Sequence, residues 1–336
     1  MIKAVLMAIG KGEILERVYS PGARELIAER AVCLEPLSSI DALEKRRSEL
    51  ADVSFIFSTW GMPALGEGRV AEYFPALRAV FYAAGSVQGF AAPFLSRGIR
   101  IFSAADANAV PVIEFTTAQI ILANKGFFGS SLLYSAGEHG EARRHFEAFP
   151  GNFGTRIGII GAGKIGGGVI AKLKEHRLDV SVFDPFLDNG KAAALGVKKC
   201  ETLEELFSSC FVISNHLANN KQTENMLHYR HFSLMDDHGV FINTGRGQQL
   251  VEADLARAFT EKPGRTALLD VTWPEPVEKG HPFFSMKNII LTPHIAGSSG
   301  NEVARMGDYM ADEFGRFLDG KPLRYEVSAP MLATMA

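Results

Sequence analysis

The sequence has few cysteines, no excess of positive charge and no long uninterrupted apolar run, and each shortage excludes a class of protein. Only Cys33, Cys200 and Cys210 occur among the 336 residues. They are too few and too scattered for a disulfide framework or a C-x-x-C metal site, so we expect buried thiols in a reducing, cytoplasmic setting. The formal net charge of −3 argues against nucleic acid as a partner, because nucleic-acid binders carry a basic excess.

Nothing in the sequence predicts a membrane segment or a metal centre. The longest apolar segment, residues 110–123, is interrupted by Pro111 and Glu114 and is too short to cross a bilayer. The N-terminus has one lysine and a short apolar run that suits a first strand rather than a secretory signal. No His, Cys or Asp cluster has the spacing of metal ligands, so we expect no metal, and His228 with His231 is best explained as a pair of exposed helix residues.

The clearest pattern lies between Arg156 and Asp184, in the stretch RIGIIGAGKIGGGVIAKLKEHRLDVSVFD. Its apolar opening at residues 157–160 predicts a buried strand, residues 169–176 predict a helix, and residues 179–183 predict a second strand. Together these segments form a βαβ unit.

The glycines of this unit have separate physical roles. Gly161 allows a sharp turn, Gly163 lets backbone amides approach a pyrophosphate, and Gly166 permits close packing of helix on strand. The helix N-terminus offers unpaired N–H groups to phosphates, and Asp184 can accept hydrogen bonds from an adenosine ribose. The unit therefore predicts a dinucleotide site.

Apolar and amphipathic runs alternate on both sides of the βαβ unit, which predicts two parallel sheets covered by helices. The first half lacks a phosphate-binding glycine turn, so we expect a different role for it. Its predicted strands cover residues 4–7, 32–34, 54–57, 79–82 and 99–102. Those that follow the βαβ unit cover residues 211–214, 240–242, 267–270 and 289–291.

Three further segments bear on the domain organisation. A long apolar helix at about residues 112–126 is predicted to lead out of the first domain. Residues 126–154 lack clean periodicity, and we interpret them as an excursion over the surface or onto a partner subunit, with a solvent-facing loop as the alternative. The final helix, residues 302–318, has no sheet of its own to cover, so we expect it to return to the first domain.

Polar residues follow several predicted strands, and ligands of open α/β sheets bind at that edge. Arg246, in a glycine-flanked loop, suits bidentate capture of a substrate carboxylate. His294 can exchange a proton, as required when a carbonyl becomes a hydroxyl during hydride transfer. Glu275, in the stiff WPEP loop, could stabilise the charged imidazole.

The motifs GAGKIG, VFDP, INTGRG, DVTWPEP and TPHIAG occur in an order that resembles the D-isomer-specific 2-hydroxyacid dehydrogenase family across nearly the whole chain. The resemblance implies an NAD(H)-dependent oxidoreductase that interconverts a small 2-oxo acid and its D-2-hydroxy acid. By matching motif, Arg246 would bind the substrate carboxylate and carbonyl, His294 would be the acid/base, and Glu275 would orient His294.

The resemblance also assigns the cofactor and substrate contacts. It implies that Asp270 holds the nicotinamide carboxamide and that the backbone of Gly85 and Ser86 donates amides to the substrate. The full set of implied cofactor residues is Gly161, Gly163, Lys164, Ile165, Gly166, Asp184, His216, Thr223, Thr244, Gly245, Asp270 and Gly297.

The expected fold has two Rossmann-like or flavodoxin-like domains with parallel sheets, the nucleotide domain being inserted into a discontinuous substrate domain. Residues 1–108 and 298–336 would form the substrate domain, and residues 109–297 the NAD-binding domain. The resemblance and the 126–154 excursion together favour a homodimer.

The sequence leaves the substrate and an alternative role open. Pyruvate-like, glyoxylate-like and phosphoglycerate-like acids all remain candidates, and Trp60 and Gln88 depart from the family pattern near the expected substrate loop. Asp184 precedes Pro185 without an adjacent arginine, which favours NAD over NADP because the carboxylate would repel a 2′-phosphate. The alternatives are an NAD-sensing binding protein of the same fold, similar to corepressors, and a methyltransferase that uses adenosylmethionine.

Overall fold

The computed structural model describes residues 2–333, which form helices and strands in near-regular alternation. The strands are β1 (Lys3–Met7), β2 (Val32–Leu37), β3 (Val53–Ser58), β4 (Ala79–Tyr82), β5 (Arg100–Ser103), β6 (Arg156–Ile160), β7 (Asp179–Phe183), β8 (Lys198–Lys199), β9 (Val212–Asn215), β10 (Val240–Asn243), β11 (Thr266–Leu269), β12 (Ile289–Leu291) and β13 (Glu326–Val327). The α-helices are α1 (Gly12–Val18), α2 (Pro21–Ala28), α3 (Ile40–Lys45), α4 (Arg47–Leu50), α5 (Glu67–Tyr73), α6 (Ala92–Leu95), α7 (Ala105–Ala123), α8 (Phe127–Ser135), α9 (His139–Glu147), α10 (Lys164–Leu173), α11 (Asn189–Leu195), α12 (Leu203–Ser209), α13 (Tyr229–Phe232), α14 (Glu252–Glu261) and α15 (Val303–Leu318).

The chain divides into two compact units. One, which we call the split unit, consists of residues 2–109 together with residues 298–333 of the part that the structure describes. The other, the inserted unit, is Val110–Gly297 and interrupts the split unit in sequence. Within the part of the chain that the structure describes, no helix combines the length and the apolar content that a membrane crossing requires.

The split unit is built on a sheet of order β13-β5-β4-β3-β1-β2. Strands β1 to β5 are parallel in the order 2-1-3-4-5, which is the flavodoxin-like arrangement. One face carries an aromatic core in which Phe57 and Phe81 stack at 5.2 Å and Phe314 of α15 packs edge-on against both. Strand β13 pairs antiparallel with β5, an edge that sequence patterns do not reveal because two residues carry no periodic signal.

The inserted unit is built on an all-parallel sheet of order β12-β11-β10-β9-β6-β7-β8. Numbered from β6, this is the 3-2-1-4-5-6 order of the Rossmann fold with one further strand. The strand order reverses at the β6–β9 pair, so the carboxyl ends of these strands flank the crevice where such sheets bind ligands. The doubly wound α/β class predicted from the sequence is confirmed.

Two helices begin earlier than the sequence predicts. α7 starts at Ala105, not near residue 112, and continues through Pro111. The sequence places the start too late because a proline inside a helix is unfavourable, although the first turns are rich in alanine, the best helix former. α10 starts at Lys164, not residue 169, and ends at Leu173. Its consecutive glycines conceal the helix in the sequence, and close packing requires the first of them, since a Cβ on Gly166 would lie 1.9 Å from the backbone oxygen of Gly161.

Most of residues 126–154 belong to the helices α8 and α9, which pack against each other, so the alternative of a solvent-facing loop is wrong. The excursion over the surface or onto a partner subunit stays a prediction. A hydrogen bond of 3.0 Å links Ser130 Oγ and His145 Nδ1 between these helices. Close approach explains Gly129, where a Cβ would lie 2.5 Å from the His145 ring. No side chain of α8 is buried, so helical periodicity in burial, the usual sequence signal, is absent.

Two expectations about the exposure of single side chains are wrong. Cys200 and Cys210 are buried as expected, but Cys33 is exposed because it lies on β2, the edge strand of its sheet. His231 is buried rather than exposed, and its ring lies 5.5 Å from that of Phe207 in the core of the inserted unit.

Candidate active site

The glycine turn between β6 and α10 has the geometry of a phosphate-binding loop. Gly161 has a φ of +85°, a left-handed value that favours glycine. A Cβ on Gly166 would lie 1.9 Å from the Gly161 carbonyl oxygen. Gly163 is the N-cap of α10 without a side-chain cap, and no atom lies within 4 Å of where its Cβ would be. Uncapped amides beside open space fit a dinucleotide pyrophosphate.

The first two residues of α10 were also predicted to contact the cofactor. Lys164 is an exposed residue at the start of the helix, and partial burial of its ammonium group lowers its pKa. Ile165 packs, partly buried, against the apolar core of the inserted unit. A contact of either residue with the cofactor stays a prediction.

Asp184 follows β7 and connects two loops of the inserted unit. Its Oδ2 accepts a hydrogen bond from the Ala162 amide at 2.8 Å, and its Oδ1 accepts one from the Phe186 amide at 2.8 Å. The carboxylate thus holds the glycine turn to the end of β7, a contact that the sequence does not reveal. Its predicted contact with a ribose stays a prediction.

The loop after β9 contains the predicted cofactor residues His216 and Thr223. Burial lowers the pKa of His216 to about 4, so the ring is neutral at pH 7, and its Nε2 lies 2.9 Å from Ser214 Oγ. Thr223 donates its hydroxyl to the Ala218 carbonyl at 2.7 Å and accepts the Asn220 amide at 3.1 Å. These contacts shape the loop.

Arg246 lies in the loop after β10. Its Nη1 donates to the Gly245 carbonyl oxygen at 2.7 Å, and at the start of the loop Thr244 Oγ1 lies 3.2 Å from Thr116 Oγ1. Burial lowers the pKa of Arg246, while the negative charge of Glu275 acts in the opposite direction. A guanidinium in this partly desolvated position attracts an anion more strongly than one in bulk water would.

Glu275 and His294 form a hydrogen-bonded pair. His294 Nδ1 lies 2.7 Å from Glu275 Oε1, and both side chains are only partly exposed. His294 has a φ of +55°, an uncommon backbone conformation for a residue other than glycine. The pair borders a cleft of about 650 Å³ whose apolar wall includes Pro276, Val277 and Phe284.

Asp270, at the end of β11, holds the loop that carries His294. Its Oδ1 accepts from Thr292 Oγ1 at 2.6 Å and from the Ile295 amide at 2.8 Å, and its Oδ2 accepts from the Ala296 amide at 2.9 Å. The carboxylate is therefore engaged within the protein on both oxygens. A contact with a nicotinamide carboxamide remains a prediction.

The predicted site residues divide between the two units. Those of the inserted unit run from Gly161 to Gly297, and among them Arg246, Glu275 and His294 are close enough for their charges and hydrogen bonds to interact. Gly85 and Ser86 belong to the split unit, where Ser103 Oγ donates to the Gly85 carbonyl at 2.6 Å.

Among residues 2–333, no three His, Cys, Asp or Glu side chains are grouped so that they could hold a metal ion.

The sequence analysis did not identify Gln249, which belongs to no motif. Its side chain is fully buried directly beside the Arg246 loop. Its only sequence signal is a glutamine inside the loop segment GRGQQL.

Comparison with known proteins connects this geometry to a family. Residues 120–296, more than half of the chain, match the NAD binding domain of the D-isomer specific 2-hydroxyacid dehydrogenases. The chain belongs to this family. The family and the binding of NAD(H) that the motifs predicted are thereby confirmed.

The individual relatives have low sequence identity to this chain. A D-3-phosphoglycerate dehydrogenase from Methanocaldococcus jannaschii is 26% identical over 70% of the chain and 44% of its own length. A hydroxypyruvate reductase from Blautia hydrogenotrophica is 31% identical over 51% of the chain and 52% of its own length. The chain thus spans about half the length of these curated relatives. The D-mandelate dehydrogenase structure from Rhodotorula graminis has a TM-score of 0.83 over 97% of both chains at 18% identity, a likeness of fold.

Proposed function

We propose that this protein is an NAD(H)-dependent oxidoreductase that interconverts a small 2-oxo acid and its D-2-hydroxy acid. The observation that supports this best is the hydrogen bond of 2.7 Å between His294 and Glu275, together with the electrostatic interaction between Glu275 and Arg246. A cation for the carboxylate and an acid/base supported by a carboxylate are the two groups that this reaction needs from a protein.

The cofactor would be held by the inserted unit. Bound NAD(H) would supply or accept the hydride. The uncapped amides at the start of α10 would contact its pyrophosphate, with Lys164 beside them, and Asp184 would accept a hydrogen bond from a ribose hydroxyl. The remaining residues that would contact or shape the cofactor site are Gly161, Ile165, Gly166, His216, Thr223, Thr244, Gly245, Asp270 and Gly297. We also propose NAD in preference to NADP, because Asp184 would repel a 2′-phosphate.

Arg246 would bind the substrate carboxylate. A guanidinium matches a carboxylate with two parallel N–H donors, and partial burial strengthens that attraction by reducing the screening from water. The bound acid would then present its carbonyl to the acid/base. The corresponding role of the Gly85 and Ser86 amides stays a prediction, as does the division into a substrate domain and an NAD-binding domain.

His294 would transfer the proton. Its Nδ1 is engaged by Glu275, so Nε2 is the nitrogen that faces the reacting oxygen. During reduction a hydride is added to the carbonyl carbon and the imidazolium donates its Nε2 proton to the oxygen; during oxidation neutral His294 removes the hydroxyl proton as the hydride leaves. The Glu275 carboxylate stabilises the charged imidazole and fixes its orientation.

The assembly that we propose is a homodimer.

The substrate class that we propose is a small 2-oxo acid. The names of the relatives point to phosphoglycerate, hydroxypyruvate and mandelate, acids that share the carboxylate and the adjacent oxidised carbon. Pyruvate-like and glyoxylate-like acids have the same reacting group. Arg246 and His294 recognise this shared group rather than the remainder of the molecule.

The proposal is tested by following NADH oxidation against glyoxylate, hydroxypyruvate, pyruvate, phenylpyruvate and 3-phosphohydroxypyruvate. We expect turnover on at least one of them, with NADPH a poorer reductant than NADH. Binding of NADH without turnover on any acid would contradict the proposal and favour a cofactor-sensing binding protein. Light scattering that reports a monomer would contradict the homodimer.

A further inference from the structure

Three amide side chains form a buried network behind the Arg246 loop. Asn215, Asn243 and Gln249 are each fully buried. Asn215 Nδ2 donates to Asn243 Oδ1 at 3.0 Å and to Gln249 Oε1 at 2.7 Å. Asn215, at the end of β9, therefore connects Asn243 at the end of β10 with Gln249 in the loop after β10. Buried amides are costly unless their hydrogen bonds are made, which makes such a network rigid.

The network holds the backbone of Arg246 on both sides. The Arg246 amide donates to Gln249 Oε1 at 3.2 Å, and the Arg246 carbonyl accepts from Asn243 Nδ2 at 3.2 Å. The preceding Gly245 amide donates to Asn243 Oδ1 at 3.0 Å. A Cβ on Gly245 would lie 2.8 Å from Gln249 Oε1, so the loop rests directly on the amides.

Gln249 also holds a second loop. Its Nε2 donates to the Leu217 carbonyl at 2.9 Å and to the Ala218 carbonyl at 3.1 Å. The side chain thereby uses both donors and accepts two hydrogen bonds. Glutamate would direct an oxygen at two carbonyl oxygens, and an apolar residue would make none of these bonds, so an amide is the group that fits this position.

We propose that Asn215 and Gln249 are positioning residues for substrate binding, an inference that rests on the proposed role of Arg246. They act through Arg246, whose peptide they clamp so that its guanidinium is presented in one orientation. The alternative is a purely structural network, in which the amides only satisfy the buried backbone groups of the two loops and do not fix the orientation of the guanidinium.

The test is the double variant Asn215→Leu/Gln249→Leu, which removes both side-chain amides together with the hydrogen bonds that Gln249 makes to the backbone of Arg246, Leu217 and Ala218. We expect its KM for the best 2-oxo acid to rise about ten-fold, the effect of losing roughly one well-aligned hydrogen bond, while kcat changes less than about three-fold. The single variant Gln249→Met should show the same KM effect. Thermal unfolding and circular dichroism establish that each variant is folded.

The matched control is Asn124→Leu, which removes another fully buried amide of the inserted unit; its Nδ2 donates to Asn152 Oδ1 at 2.9 Å. It should lower the melting temperature without raising KM. Equal KM effects in the control and in the network variants would show that general loosening is responsible and would overturn the inference.

Hydrogen exchange separates this inference from the proposed function. Amides of residues 245 and 246 should exchange slowly in the unaltered protein and at least about ten-fold faster in the double variant. If the unaltered protein turns over none of the acids, the proposed function has failed and the exchange rates alone decide whether the network clamps the loop. Unchanged exchange rates would overturn the inference whatever the turnover.

Discussion

The two units have parallel sheets of similar construction, but their strand ends use polar side chains differently. In the split unit, Ser58 Oγ donates to the Met7 carbonyl at 2.5 Å and Thr59 Oγ1 donates to the Ala83 carbonyl at 2.8 Å. These hydroxyls make hydrogen bonds to the backbone at the ends of other strands of the same sheet. In the inserted unit, the strand-end Asn215 and Asp270 instead hold the loops of Arg246 and His294.

The first turn of each sheet differs in the same way. In the inserted unit the turn leads through Gly161 into a ten-residue helix that starts without a side-chain cap. In the split unit β1 leads through Gly10, with a φ of +70°, into a helix of only seven residues that also starts without a side-chain cap. The two turns therefore differ in the length of the helix and in the glycines around it, and we propose chemistry only for the sheet whose strand ends and turns carry the groups for it.

The largest loss of activity is expected at His294, in the inserted unit. His294→Ala should reduce kcat by about 10³-fold, within the usual range for loss of a general acid/base, with a small change in KM. Glu275→Gln keeps the hydrogen bond but removes the charge, and should reduce kcat by about ten-fold to 10²-fold. Steady-state kinetics with NADH measures both. Full turnover in His294→Ala would place the proton transfer elsewhere.

A second large effect is expected at Arg246. Arg246→Ala should lower kcat/KM by about 10²-fold to 10³-fold, mainly through a higher KM, because a bidentate charge-assisted contact is lost. Arg246→Lys retains the charge but not the paired donors, so it should recover part of the loss. If alanine and lysine variants behave like the unaltered protein, the carboxylate is bound by another group.

A smaller effect is expected at Asp184. Asp184→Ala should weaken NADH binding about ten-fold and reduce the discrimination against NADPH, because the repulsion of a 2′-phosphate is removed. The ratio of the two dissociation constants is the informative quantity, since loosening of the Ala162 contact would affect both cofactors alike. A ratio that does not change would move the cofactor preference to other residues.

The smallest effect tests the split unit. Thr59→Val removes a buried hydroxyl that bonds to the Ala83 carbonyl, and should reduce the free energy of unfolding by about 1 kcal/mol. NADH affinity should stay the same, because the residues proposed to bind the cofactor belong to the inserted unit. Denaturant unfolding measures the stability and an NADH titration measures the affinity. A loss of NADH affinity in this variant would show that the split unit also contributes to cofactor binding.

Sequence reasoning predicted most of the strands and the order of the motifs. The strands are buried and rich in β-branched and aromatic residues, which gives each a strong local signal. Very short elements such as β8 and β13 lack that signal. Helix α8 was missed because its apolar residues are exposed and show no helical periodicity. Helix α10 was predicted too short because a run of glycines is typical of a loop.

In the candidate site, the identities of Arg246, Glu275 and His294 followed from motif and chemistry. The contacts that support them did not. Gln249 lies among ordinary loop residues, and only the folded chain shows that it bonds to Asn215 and to the backbone of Arg246. Asp184 likewise looks like a ligand group in the sequence, whereas the structure shows it bound to the Ala162 amide.

By itself the sequence determined the α/β class, the dinucleotide turn and the residues able to exchange a proton or bind a carboxylate, because these depend on local periodicity and on functional groups. The tertiary structure alone decided the separation of 2.7 Å between His294 and Glu275 and the burial of Asn215, Asn243 and Gln249 in one network. The reason is that hydrogen-bond geometry and burial arise when strands distant in sequence become neighbours in a sheet, and no local pattern encodes that proximity.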